Sequence, residues 1–207
     1  FNGWARLGLA AESFGSATDA VLASAYASDG ADLSPTQSVF GSAWASGRYE
    51  HGEIRNGTLG AEVPDYVATS ARSKFFANVA GTVTEQLDAD QQLTLGGDTG
   101  LRGYPFAYQA GTAKALLTLE QRYYTKWYPF RLFHVAAAVF ADSGRTWGTD
   151  VTGATSLGLL NDVGIGLRLG TSRSAFGNVL HIDLAFPLNG DDDIDSVQLV
   201  VETKARF

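Results

Sequence analysis

The sequence predicts an all-β protein, an antiparallel transmembrane β-barrel with one loop folded into its lumen. Three observations predict it. Apolar and polar residues alternate with a period of two over long runs in the second half of the chain. No window approaches ~18 consecutive apolar residues, so a membrane-spanning helix is not expected, whereas a spanning strand needs only about 9–11 residues with one apolar face. A stretch from Gly96 to Gly111, rich in glycine and aromatics, interrupts the alternation and carries a single arginine.

Composition narrows the function classes. The 207 residues carry a formal net charge of −7, which argues against a nucleic-acid partner, because such a partner normally demands a basic stripe. Cysteine is absent, as suits a bacterial periplasm or outer membrane, where thiols oxidise. With Phe1 as first residue, the chain reads as a mature segment or a piece of a longer protein.

The first third alternates weakly. Trp4 to Phe14 places Ala5, Leu7, Leu9 and Ala11 on one face and Trp4, Arg6 and Glu12 on the other. Val21 to Ala27 and Val39 to Tyr49 are predicted as the next strands, with Asp29 to Pro35 as the loop between them. Gly, Ala and Ser crowd these segments and bring little β preference. From Leu59 the pattern tightens, with Leu59, Ala61, Val63 and Val67 on one face, although Pro64 suggests an edge or a bulge. Phe75, Ala77, Val79, Gly81 and Val83 then oppose Asn78, Thr82 and Thr84.

The alternation is strongest after the glycine-rich stretch. From Thr112 to Trp127, Leu117, Leu119 and Tyr123 oppose Lys114, Thr118, Glu120, Arg122 and Lys126, and Trp127 to Phe130 forms a short aromatic turn. Phe133, Val135, Ala137, Val139 and Ala141 oppose His134, Phe140 and Asp142. After a polar loop from Gly148 to Ser156, Val163, Ile165, Leu167 and Leu169 oppose Asp162, Gly164, Gly166 and Arg168. Leu180, Ile182, Leu184, Phe186 and Leu188 oppose His181 and Asp183, and a final strand runs from Asp195 to Phe207. Short and longer connections alternate, as in an antiparallel meander.

A soluble β-sandwich also alternates. The membrane reading is favoured by charged, glycine-rich polar faces, by strands longer than the usual ~5–6 residues, and by aromatics at strand ends such as Tyr123, Trp127, Tyr128, Phe130 and Phe133. On that reading outer-membrane lipid and lipopolysaccharide are the surroundings of the apolar face.

The stretch from Gly96 to Gly111 has too many glycines for a helix or regular strand, yet Leu101, Tyr104, Phe106 and Tyr108 are too apolar for a solvated loop. It is expected to pack against the wall. Its Arg102 needs carboxylates or phosphates in fixed positions, and parity supplies two carboxylates: if Leu117, Leu119, Val139 and Ala141 face lipid, Glu120 and Asp142 face inward on neighbouring strands. The alternative is three unrelated charges lining a pore.

These residues carry a family resemblance. Leu95 to Tyr104 (LGGDTGLRGY), Leu119 to Tyr123 (LEQRY), Phe140 to Gly144 (FADSG), Gly164 to Arg168 (GIGLR) and the terminal Phe207 together resemble the BamA/TamA superfamily of bacterial surface-antigen barrels, most closely over 73–207. The resemblance implies a loop entering the barrel from outside, with Gly96, Gly97 and Gly100 shaping it and the Arg102, Gly103, Tyr104 tip held by Glu120 and Asp142. It implies that Phe207 acts as an assembly signal. It also implies a barrel of about sixteen strands, of which this chain is the C-terminal portion with about eight to ten, the rest being supplied by the native protein. The function implied is insertion or transport of proteins at the outer membrane, with the barrel assembly machinery and client or passenger proteins as partners and no enzymatic step. A barrel that anchors an N-terminal passenger such as a lipid hydrolase, or a passive porin, are the alternatives.

Other chemistry finds little support. His51, His134 and His181 are scattered without metal-ligand spacing, and no metal or cofactor is expected. Asp191, Asp192, Asp193 and Asp195 read as a solvated loop. The Gly97, Gly100, Gly103 spacing lacks the Lys-Ser/Thr ending of a phosphate loop, and there is no Gly-x-Ser-x-Gly elbow.

Overall fold

The computed structural model describes residues 1–88, 91–148, 156–171, 178–191 and 194–205. Ten strands pair antiparallel into one sheet: β1 (Asn2–Ala10), β2 (Ala20–Ser34), β3 (Gln37–Glu50), β4 (Glu53–Ser70), β5 (Ser73–Glu85), β8 (Ala113–Tyr124), β9 (Phe133–Trp147), β10 (Leu160–Thr171), β11 (Asn178–Pro187) and β12 (Gln198–Ala205). Two short strands, β6 (Leu93–Leu95) and β7 (Gln109–Gly111), pair only with each other, and the segment they close folds over the sheet between β5 and β8 in sequence. The ten-stranded sheet is not closed on itself: β1 and β12 are its edges, so the chain forms a partial β-barrel.

Register carries the two faces across the wall, because directly paired residues point the same way. Val139, Ile165, Leu184 and Leu199 form one such row, and each is well exposed, at 55, 54, 41 and 66%. An exposed apolar row of this kind suits a wall facing hydrocarbon rather than water. The next row, Phe76, Glu120, Phe140 and Gly164, lies on the inner face, under the folded segment. The apolar core is correspondingly small: Leu95, Leu101, Tyr104 and Leu160, flanked by Tyr108, Leu116 and Ile194, fill the space between that segment and the inner face.

Several boundaries differ from the sequence reading, each for a local reason. Asp29 to Ser34 belongs to a strand and not to a loop, because Gly30 pairs with Phe40 and lacks the side chain that the Phe40 ring would meet. Only Pro35 and Thr36 remain as the turn. Residues 12–14 form a 3-10 turn beyond β1, where the Glu12 amide donates to the Asp19 carboxylate at 2.8 Å. Pro64 sits in the middle of β4 and not at an edge; the pairing with β3 skips Val63 and Pro64, where proline has no proton to give. The aromatic turn is longer than expected, residues 125–132 with a 3-10 turn at Pro129–Arg131.

The final strand begins at Gln198 and not at Asp195, since Ile194 is drawn into the core under the folded segment. Phe207, Asp192 and Asp193 and most of the Gly148 to Ser156 loop lie outside the described residues.

Candidate functional site

The segment from Gly96 to Gly111 folds back because its stem is paired and its turns are glycine-rich. Leu93 to Leu95 pairs with Gln109 to Gly111, so the loop's last three residues are strand and not loop. The Lys114 ammonium donates to the Thr94 carbonyl at 3.0 Å, and the Gln109 side-chain carbonyl accepts the Thr146 amide at 2.8 Å, fixing the ribbon to β8 and β9. Above it Gly97–Thr99 forms a 3-10 turn, and the Gly97 amide donates to the carbonyls of Leu101 and Tyr104, both at 2.9 Å. Gly96 and Gly100 adopt φ values of 127° and 134°, and a side chain at either would lie within 2.3 Å of Pro105 O or Leu116 Cδ2.

This folding delivers Arg102 to the inner face, 5% exposed. Its guanidinium donates to both Asp142 oxygens, from Nε at 2.7 Å and Nη2 at 3.0 Å, and from Nη1 to Glu120 at 2.9 Å. The structure thus brings Arg102, Glu120 and Asp142 together. It adds residues that parity alone did not select. Asp183 accepts from Arg102 Nη1 at 3.1 Å. Arg168 grips Glu120 at 3.0 and 2.7 Å and also pairs with Asp183, while Arg122 donates to Glu120 at 2.6 Å. Three guanidinium groups therefore share three carboxylates in an almost water-free site. Phe140 forms the floor, with the Arg102 guanidinium carbon 3.4 Å from its ring centroid.

The flanking tip residues complete the grip. The Gly103 amide donates to Asp162 at 3.0 Å, an approach so close that a side chain at Gly103 would lie 2.4 Å from Asp162 Cβ. Tyr104 is 1% exposed, and its hydroxyl lies 2.8 Å from the carbonyls of Asn161 and Asn189.

Electrostatics favour the charged state of the tip. Burial alone would lower the Arg102 pKa, but the hydrogen bonds and charge of Asp142, followed by Glu120 and Asp183, reverse this and raise it above the ordinary value. Burial raises the Tyr104 phenol, so it stays a neutral donor. A buried network in which each charge has partners fixes position, and removing one partner typically costs about 3–5 kcal/mol. The arrangement's chemistry is that of a lock on a chain segment.

Arg168 and Asp183 had a signal in the sequence, since both lie on the polar face of their strands. Parity gives a residue's face but not its depth, and only the register places Asp183 opposite Gly166, beside Arg168. The histidines stay apart: His51 turns between β3 and β4, His134 stacks on Tyr128 with centroids 4.7 Å apart, and His181 lies in β11.

Comparison with curated proteins returned no match. The sequence profile of the Omp85 superfamily domain matches residues 42–204, which extends to β3 the likeness read from the motifs after residue 73 and spans the loop and every member of the arginine network. The chain, with its antiparallel wall and its arginine-tipped inner loop, belongs to the Omp85 superfamily.

Proposed function

We propose that this chain is the C-terminal portion of an outer-membrane barrel that inserts or transports proteins at the bacterial outer membrane without an enzymatic step. The observation that carries the reading is the Arg102 tip, seated between Glu120, Asp142 and Asp183 inside a segment that matches the Omp85 domain. On this reading the Leu- and Val-rich outer face meets lipid and lipopolysaccharide, and upstream strands of the native protein close the open edges. The barrel assembly machinery and client chains are the partners. The loop works as an internal strut, holding the inner faces of β8 to β11 in one geometry while the far edges stay free to pair.

The test replaces the native full-length protein by its Arg102→Glu form and follows two readouts. Heat-modifiable folding and surface protease resistance report the loop, and the levels of folded outer-membrane or secreted proteins report the activity. Loss of both supports the proposal. Unchanged client levels together with a steady ion conductance in planar bilayers, indifferent to the substitution, would favour a passive porin.

A further inference from the structure

The loop has a second point of attachment, away from the arginine network, where the chain leaves β5. The β3–β4 register shifts by one residue between Ser46 and Arg48, and the extra residue on β4 places Asn56 in the left-handed region at φ 49°. Gln86, directly beyond β5, is also left-handed, at φ 46°. The Asn56 amide donates to the Gln86 carbonyl at 3.0 Å, which continues the β4–β5 pairing up to the point where the chain turns away. Two adjacent non-glycine residues in this conformation mark a stored local strain that the surroundings must hold.

What holds it is the side chain of Asn56. Its amide nitrogen donates to the Asp88 carboxylate at 2.7 Å, and its carbonyl oxygen accepts the Asp88 backbone amide at 2.7 Å, so one side chain closes a two-bond ring on the outgoing segment. Arg48 donates to the same Asp88 oxygen at 3.0 Å and pairs with Glu50 at 2.9 Å. Glu50 in turn accepts from Thr18 at 3.2 Å. The connection after β1, the turn after β3 and the start of the loop are thereby tied together at one end of the wall.

The side chains of Arg48 and Asp88 are each 31% exposed, so solvent screens their ion pair and the Asn56 ring is the stronger element. From Asp88 to the first ribbon residue, Leu93, the chain reaches at most ~17 Å, so fixing Asp88 restricts where the ribbon and the arginine beyond it are presented.

We infer that Asn56, with Asp88 and Arg48, is a positioning clamp that sets the exit of the inner loop from the wall independently of the Arg102 network. The clamp shares no residue with that network, and its role does not depend on what the barrel transports.

The experiment is hydrogen–deuterium exchange of the full-length protein in liposomes, comparing peptides across 84–95 with peptides across 100–106. Asn56→Gly keeps the left-handed backbone available and removes only the side-chain ring. Asn56→Gly and Asp88→Ala are each expected to speed exchange at 84–95 by roughly tenfold, while 100–106 stays protected and heat-modifiable migration is unchanged. The double variant should exceed Asn56→Gly only by the small contribution of the screened Arg48–Asp88 pair, because the ring bond that Asp88→Ala removes is already broken in Asn56→Gly. Arg102→Glu should do the reverse, exposing 100–106 first. Wild-type exchange at 84–95 in Asn56→Gly, or two effects that multiply in full in the double variant, overturns the inference. If Asp88→Ala fails to fold, Asn56→Asp decides it: it removes the donor to Asp88 and sets two carboxylates against each other, so exchange at 84–95 should rise likewise, and wild-type exchange there overturns the inference.

Discussion

The guanidinium carbon of Arg102 lies over the ring of Phe140, 3.4 Å from its centroid, and Phe140 in turn covers Gly164, where a side chain would fall 2.2 Å from the ring. The stack is possible only because three residues on three separate elements cooperate: a loop cation, a β9 ring and a β10 glycine. Desolvated cation–π pairs are worth about 2 kcal/mol. Phe140→Leu keeps the apolar volume roughly constant and removes the ring face. It should lower stability by about 2 kcal/mol, read as an earlier urea midpoint in liposomes, with the loop becoming protease-sensitive before the wall unfolds.

Glu120 is the most heavily used acid of the network, accepting from Arg102, Arg122 and Arg168. Glu120→Gln keeps the shape but leaves three cations facing two charged acids. A loss of about 3–5 kcal/mol is expected, because the penalty is that of uncompensated buried charge. The control is Glu62→Gln on β4, whose carboxylate accepts, among the described residues, a single hydrogen bond from the Ser42 hydroxyl at 3.3 Å. That substitution should stay within about 0.5 kcal/mol of wild type in the same urea titration.

Arg102 also predicts a pH profile. Its folded-state pKa is raised above an ordinary value that already lies beyond pH 12, so the stability it contributes is fully present below that value. It would be lost only as pH rose through the higher folded value, so loop protection in the wild type should not change between about pH 7 and 11 on account of this group. Arg102→Lys replaces the fork by a point charge that titrates near ~10.4, so protease protection of the loop should be weaker at neutral pH and fall further from about pH 10 upward.

Much of the second half of the wall was legible because its residues alternate cleanly. Leu117 and Val139 against Glu120 and Asp142 define faces without ambiguity, so both acids turn inward on neighbouring strands, and the register sets their depth. The first third was harder to read, because Gly, Ala and Ser carry little strand preference and the pairing there depends on cross-strand contacts. Trp44 lies over Gly60, its register partner, and Phe40 over Gly30, contacts that no single strand announces. Within the site, the sequence pointed to the arginine and two of its acids. The third acid, the second arginine grip and the Asn56 bulge depend on register across several strands, and a one-residue slip would move each to the other face.

The register at Gly166 yields the last prediction. Gly166 pairs with Asp183, and a side chain there would fall 1.8 Å from the Asp183 carboxylate and 2.7 Å from Arg168 Nη1. These are the groups through which Asp183 reaches both arginines, so Gly166→Ala must push the carboxylate out of its bridging position. Because Asp183 is buried, the displaced charge finds no water, and the cost should approach that of breaking a buried pair, about 3 kcal/mol or more. Asp183→Asn keeps the space but leaves Arg102 and Arg168 short of an acid, so by the argument made for Glu120 it should cost a similar amount. A Gly166→Ala form with wild-type stability in urea titration would mean that the tight Arg168–Asp183 packing at the centre of the network is wrong. The double variant Gly166→Ala with Asp183→Gly tests the same point from the other side: it makes room for the methyl group, so any loss beyond that of Asp183→Gly alone would have to come from Arg168.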